Sequence, residues 1–141
     1  MTVLLAAGRR SNADLRTADY RPGACNIGPA EIGRRWRAGH LGVVATLAAL
    51  GVVLAIGAPP ISRLIVALPA AGAAVAYLEA ALKFCVAFGS RGVFNFGPLG
   101  TLVTVADPSA RSRDRWRALE ITLAGALIGF AVGAICVALP I

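Results

Sequence analysis

ITLAGALIGFAVGAICVALPI, residues 121–141, runs for 21 positions without a charge, and its most polar side chain is the hydroxyl of Thr122. The hydrocarbon core of a bilayer needs roughly 20 apolar residues of helix, within a range of about 17–25. A helix of that length at a water-facing surface keeps a polar face, and this stretch has none. Two more stretches follow the same rule. Leu41 to Ala58 is uncharged over 18 residues, and Leu64 to Leu78 is uncharged between Arg63 and Glu79, with the apolar pattern continuing to Phe88. The second reaches spanning length only when Glu79 and Lys83 are included.

These stretches predict an all-α integral membrane protein with three transmembrane helices, at about residues 41–58, 62–84 and 119–139, in a single membrane domain over residues 1–141. Barrel strands would alternate every two residues, and these runs do not. Three buried helices of a soluble core would leave almost no polar face for water. Composition points the same way. Apolar residues make up 57% of the chain, with 16 glycines besides, against roughly 45–50% for both together in a soluble domain. Charged residues are 15%, too few to cover such a surface, and the apolar excess excludes disorder.

Basic residues set the orientation. Of the 14, seven lie in residues 1–40, one (Arg63) lies between the first two apolar runs, and six lie in residues 83–118. Positive charge is retained on the cytoplasmic side during insertion, so the amino terminus and the second loop are expected inside and the carboxyl terminus outside. The net charge of +7 is then explained by insertion and by anionic headgroups, and a nucleic-acid partner is not expected. Met1 to Gly8 places its short apolar run before Arg9 and Arg10, the reverse of a secretory signal. Residues 1–28 read as a cytoplasmic segment and 89–118 as a cytoplasmic or interfacial loop. Within it, residues 93–106 are uncharged but broken by Gly97, Pro98 and Gly100, which suits a stretch that lies in the interface or dips in and returns.

Two helix entries are built alike. Pro29 with Glu31, and Asp107 with Pro108, suit first helical turns, although Gly39 and Gly42 could bend the first helix. Arg-Trp-Arg-Ala occurs at 35–38 and again at 115–118. Either this is an internal duplication, or Arg35, Trp36, Arg37, Arg115, Trp116 and Arg117 simply occupy the headgroup layer that both residue types favour. A second half-repeat, Asn26-Ile27-Gly28-Pro29 and Asn95-Phe96-Gly97-Pro98, predicts two turns with asparagine side chains bonded locally.

Chemistry-bearing residues are scarce. One His, three Cys and no phosphate loop, Gly-x-Ser-x-Gly or Cys-x-x-Cys argue against an enzyme and supply no catalytic candidate. No cofactor is expected. Cys25, Cys85 and His40 all fall near the cytoplasmic face, so the two thiols could share a metal or exchange with a sulfur carrier, while His40 is either a pigment ligand or a plain interfacial residue. Cys136 reads as a small apolar filler. Glu79 and Lys83, four apart, suit a helical ion pair. Gly125, Gly129 and Gly133 form one smooth stripe, with Gly72, Ala76 and Ala80 as a similar row on the second span; small residues allow the close approach that holds helices together in lipid.

Asn26-Ile27-Gly28, an acid at Glu31, Arg35, an apolar hairpin and then Phe84-Cys85 resemble a small bacterial inner-membrane two-helix domain found alone or fused to a rhodanese sulfurtransferase. The resemblance covers about residues 25–88. It departs from the family at Ile32, where a second Arg is usual, and at Val86, where Pro is common. It implies a cytoplasm-facing membrane hairpin with a link to sulfur metabolism, and no catalytic residue. Three functions are thereby expected in descending order: an accessory or structural subunit packing against other membrane subunits or itself, a thiol- or sulfur-handling membrane protein using Cys25 and Cys85, and a small homo-oligomeric transporter.

Overall fold

The computed structural model describes residues 17–141, so the readings of Met1–Gly8 and of residues 9–16 lie outside it. Helix α1, Pro29–Ala55, is continuous for 27 residues. A 3₁₀ turn, Pro60–Val66, leads into α2, Ala67–Leu82. A short helix α3, Val86–Arg91, and two strands, β1 (Val93–Phe94) and β2 (Val103–Thr104), precede α4, Pro108–Ala138, which has 31 residues. Of the described residues 71% are helical, and three helices among them, counting Pro60–Leu82 as one, are long and apolar enough to cross a membrane.

At 1.5 Å per residue α1 is about 40 Å long and α4 about 46 Å, against a hydrocarbon core of about 30 Å. Both helices are therefore longer than a hydrocarbon core, and the surplus in each is its basic amino-terminal part. That overhang revises the predicted loop over 89–118. Its last third is helix, started by Pro108 and capped by Asp107, whose carboxylate accepts from the Ser109 amide at 3.0 Å and hydroxyl at 2.7 Å. These bonds hold the Asp107 carboxyl below its ordinary range.

Helix α2 is the centre, with α1 on one flank and α4 on the other. Its neighbours approach it through glycine. A methyl at Gly42 would stand 2.8 Å from the Ala73 side chain, and one at Gly129 would stand 2.5 Å from the Ala67 carbonyl oxygen and from Ala71. Gly39 and Gly42 thus mark a contact face and do not bend α1. Gly125, Gly129 and Gly133 all face α2, opposite Val75, Ala71 and Ala67. The row expected to face them is corrected in part: Gly72 is exposed, with nothing near a methyl placed there, whereas Ala76 and Ala80 are buried.

Residues 93–106 fold back on themselves. Val93 pairs with Thr104 and Phe94 with Val103 in an antiparallel ladder, and the segment folds onto residues 26–28 through a parallel bridge between Ile27 and Asn95. The two Asn-x-Gly-Pro half-repeats therefore lie side by side. Gly28 is required there, because a methyl would meet the Phe96 backbone at 2.9 Å.

Candidate functional site

Among the described residues, the buried polar side chains other than Arg63 gather at the end of the bundle where α1 and α4 begin and α2 finishes. Asn26 is fully buried and treats Cys85 as a strand partner: its Nδ2 donates to the Cys85 carbonyl at 3.1 Å, and its Oδ1 accepts from the Cys85 amide at 2.7 Å. Its own amide donates to the Lys83 carbonyl at 3.1 Å, and its carbonyl accepts from the Asn95 amide at 3.0 Å. Asn95 in turn accepts from Gly97 at 2.8 Å and donates to the Pro98 carbonyl at 3.0 Å, which closes its own turn, and reaches Glu31 Oε1 at 3.5 Å. Glu31 is 1% exposed, and its Oε2 lies 3.8 Å from Arg34 Nε with no hydrogen-bond partner.

Arg35 crosses from α1 to α2. Its Nε is 3.3 Å from Glu79 Oε2, and its Nη2 donates to the Cys85 sulfur at 2.7 Å. The other Glu79 oxygen accepts from the Val86 amide at 2.7 Å, capping the start of α3. Two expectations are corrected here. Arg35 turns inward rather than outward to its surroundings, because it shares with Gly39 and Gly42 the stripe that faces α2. Glu79 pairs with Arg35 and not with Lys83, because Lys83 adopts left-handed backbone (φ 55°) that ends α2 and takes its exposed side chain off the helical line. The remaining residues of the Arg-Trp-Arg pairs are surface residues: Trp36, Arg37, Arg115 and Trp116 are exposed, and half-buried Arg117 bonds Glu120 at 3.0 Å.

A second knot pins residues 20–25 to α4. Asp114 is fully buried and accepts from the Tyr20 hydroxyl and the Gly23 amide, both at 2.7 Å, while the Tyr20 ring stacks on Phe94 at 4.7 Å. Burial, and then the bond to Asp114, push the Tyr20 hydroxyl far above its ordinary range. At the opposite end Arg63, 6% exposed, donates to the carbonyls of Cys136 at 3.2 Å, Leu139 at 2.9 Å and Ile141. It thereby satisfies acceptors that a helix end leaves open. None of Asn26, Asn95, Asp114, Tyr20 and Arg63 was singled out from sequence as a buried polar group. The repeated Asn-x-Gly-Pro was a usable signal, and so was the spacing of Asp114 between Ala110 and Ala118 on the buried stripe of α4.

The thiols do not share a setting. Cys85 is fully buried against Ile27 and Phe88; burial and the Glu79 carboxylate push its thiol up, against the pull of Arg35. Cys25 is half-buried and lines an open pocket of about 400 Å³ with Arg21, Asp19, Lys83 and Phe96. Burial raises its thiol too, opposed by Lys83 and Arg21. All three cysteines are free. Among the described residues no group of three or more His, Cys, Asp or Glu gathers as a metal set. His40 is exposed, with Nδ1 2.5 Å from the Tyr77 hydroxyl, and both rings join Trp36 in an aromatic cluster with centroids 5.4–6.3 Å apart. No protein-family model, no curated protein and no solved structure matches the chain.

Proposed function

We propose that the chain is a small non-enzymatic integral membrane protein of the bacterial inner membrane, an accessory or structural subunit of a larger membrane complex or of a homo-oligomer. Its basic end faces the cytoplasm and its carboxyl terminus lies outside. The observation that carries this reading is the state of α1. That helix is held along one side only, by α2, while Leu41, Val44, Leu47 and Val52 are each at least 60% exposed. Apolar faces of that extent mark lipid or protein contacts. The buried polar groups support the same reading, since they bind one another and brace the basic end. A photo-crosslinking residue at Val44 or Val52, activated in native membranes, tests it. A stoichiometric adduct with another subunit or a second copy is the expected result, and adducts with lipid alone would overturn the subunit reading.

One observation favours a second reading, thiol handling. Cys25 opens on a pocket flanked by Arg21 and Lys83. With Cys85 sealed beneath Ile27, that function would rest on Cys25 acting without it. Persulfide or a mixed disulfide on Cys25 in protein purified from its membranes would support this reading; a bare, unmodified thiol would not.

A further inference from the structure

Between α1 and α4, a row of small residues on α2 forms the floor of an apolar groove of about 290 Å³. The floor is small, Ala70, Ala73 and Ala74, and the walls are Val43 and Leu47 of α1 and Ile128 of α4. At its upper end stands Tyr77, five residues before α2 finishes, and the Trp36–His40–Tyr77 cluster rises over it. From Tyr77 to Ala70 the floor runs about 10 Å along the helix. Trp36 and Arg37 both share a face of α1 with His40, at spacings of four and three. Arg37 is exposed and has no ion pair among the described residues. His40 Nδ1 is engaged by Tyr77, which leaves Nε2 of an exposed ring to its surroundings. Along the other wall the furrow between α2 and α4 continues past Leu78 and Ala124 to Arg117, where Glu120 is the one carboxylate that competes for an anion.

The shape is that of an amphiphile: a narrow slot without charge, topped by aromatic rings and an uncommitted guanidinium. We propose that the groove holds an acyl chain of one anionic phospholipid, whose headgroup lies over His40 and Tyr77 beside Arg37. Phosphate oxygens are the natural partners of an arginine fork, and Trp and Tyr sit at headgroup level in membranes. Charge complementarity selects this occupant over a second copy of the chain, whose own helices would bring arginine against arginine at the same depth. The inference rests on the membrane reading above.

Native mass spectrometry of the detergent-purified full chain tests it, with phosphatidylglycerol or phosphatidylcholine of identical chains added. Retention of one phosphatidylglycerol is expected, in preference to phosphatidylcholine. Arg37→Gln, at an exposed position outside the packing, should weaken phosphatidylglycerol about five-fold, the effect of one basic residue at an anionic surface, and weaken phosphatidylcholine less, because its choline cation already offsets the phosphate. Ala74→Phe from the floor and Val43→Phe from the wall should each abolish retention. Equal retention of both lipids overturns the proposal, as does undiminished phosphatidylglycerol on both groove-filling variants. A lipid-free dimer overturns it in favour of a second copy. A chain that floats with vesicles yet retains no lipid defeats this site alone, whereas a chain that does not float defeats the membrane reading beneath it.

Discussion

Asn26 shows how much one side chain can carry where backbone runs out of partners. Between the end of α2 and the start of α3, the Cys85 amide bonds Asn26 Oδ1, while the Cys85 carbonyl, which already accepts from the Gly89 amide at 2.9 Å, accepts from Asn26 Nδ2 as well. Asn26→Ala would leave the buried Cys85 amide unpaired, at roughly 1–3 kcal/mol. It is therefore expected to cost about 2 kcal/mol, read as a lowered midpoint of thermal unfolding in detergent, whereas exposed Ser90→Ala should leave the midpoint unchanged. The Tyr20–Asp114 pair adds a pH dependence. Folding holds the Tyr20 hydroxyl protonated above its ordinary value of about 10, so its contribution to stability is complete below about pH 10 and is lost as pH rises beyond that value. Tyr20→Phe should flatten the alkaline limb of the stability profile; an unchanged limb would show that another group titrates there.

The elements are joined by small residues more than by large ones. The buried stripe of α4 passes through Gly125, Gly129, Gly133 and Cys136, and α1 meets α2 at Gly39 and Gly42. In lipid no hydrophobic drive separates helix from tail, so close backbone approach supplies the dispersion contacts. Gly129→Leu should collide with the Ala67 carbonyl and with Ala71, and so part α4 from α2. Its signature would be a several-fold loss of detergent-resistant folded protein with insertion intact. Leu127→Ala is the control, since Leu127 is 70% exposed and touches no seam. Equal behaviour of the two variants would remove glycine packing as the cause. Much of this was readable in advance, because a four-residue glycine period projects one face of any helix. The facing row was not readable: Gly72 and Ala71 differ by one position, and only the rotation of α2 decides which of them meets Gly129.

Across the whole molecule, charge and length divide the two ends. Arg35, Arg37, Lys83, Arg111 and Arg117 lie on the end shared by the starts of α1 and α4 and the finish of α2, and Arg63 lies on the other. Retention of positive charge on the inner side then predicts that a reporter fused after Pro140 is active outside the membrane, and one placed within residues 107–115 is active inside. Both reporters on one side would defeat the three-span arrangement. Arg63 belongs to this scale as well. A lone basic residue at the less basic end counts slightly against the charge asymmetry, yet it is 6% exposed and spent on the last carbonyls of α4, so it ties the second helix to the third.

What the sequence determined by itself was the number of long apolar helices, the proline starts of α1 and α4, the glycine face of α4 and the imbalance of charge between the two ends. Each of these is a sum over neighbouring residues or a short period along one helix, so no knowledge of distant segments is needed. The tertiary structure alone decided that Arg35 turns inward, that Glu79 takes Arg35 and not Lys83, that Asn26 and Asn95 lie side by side, and that Cys25 and Cys85 occupy different settings. Those outcomes depend on which atom of a remote segment arrives within about 3 Å, the reach of a hydrogen bond. No local period encodes that distance: it is set when α1 and α4 close on α2 through their glycines.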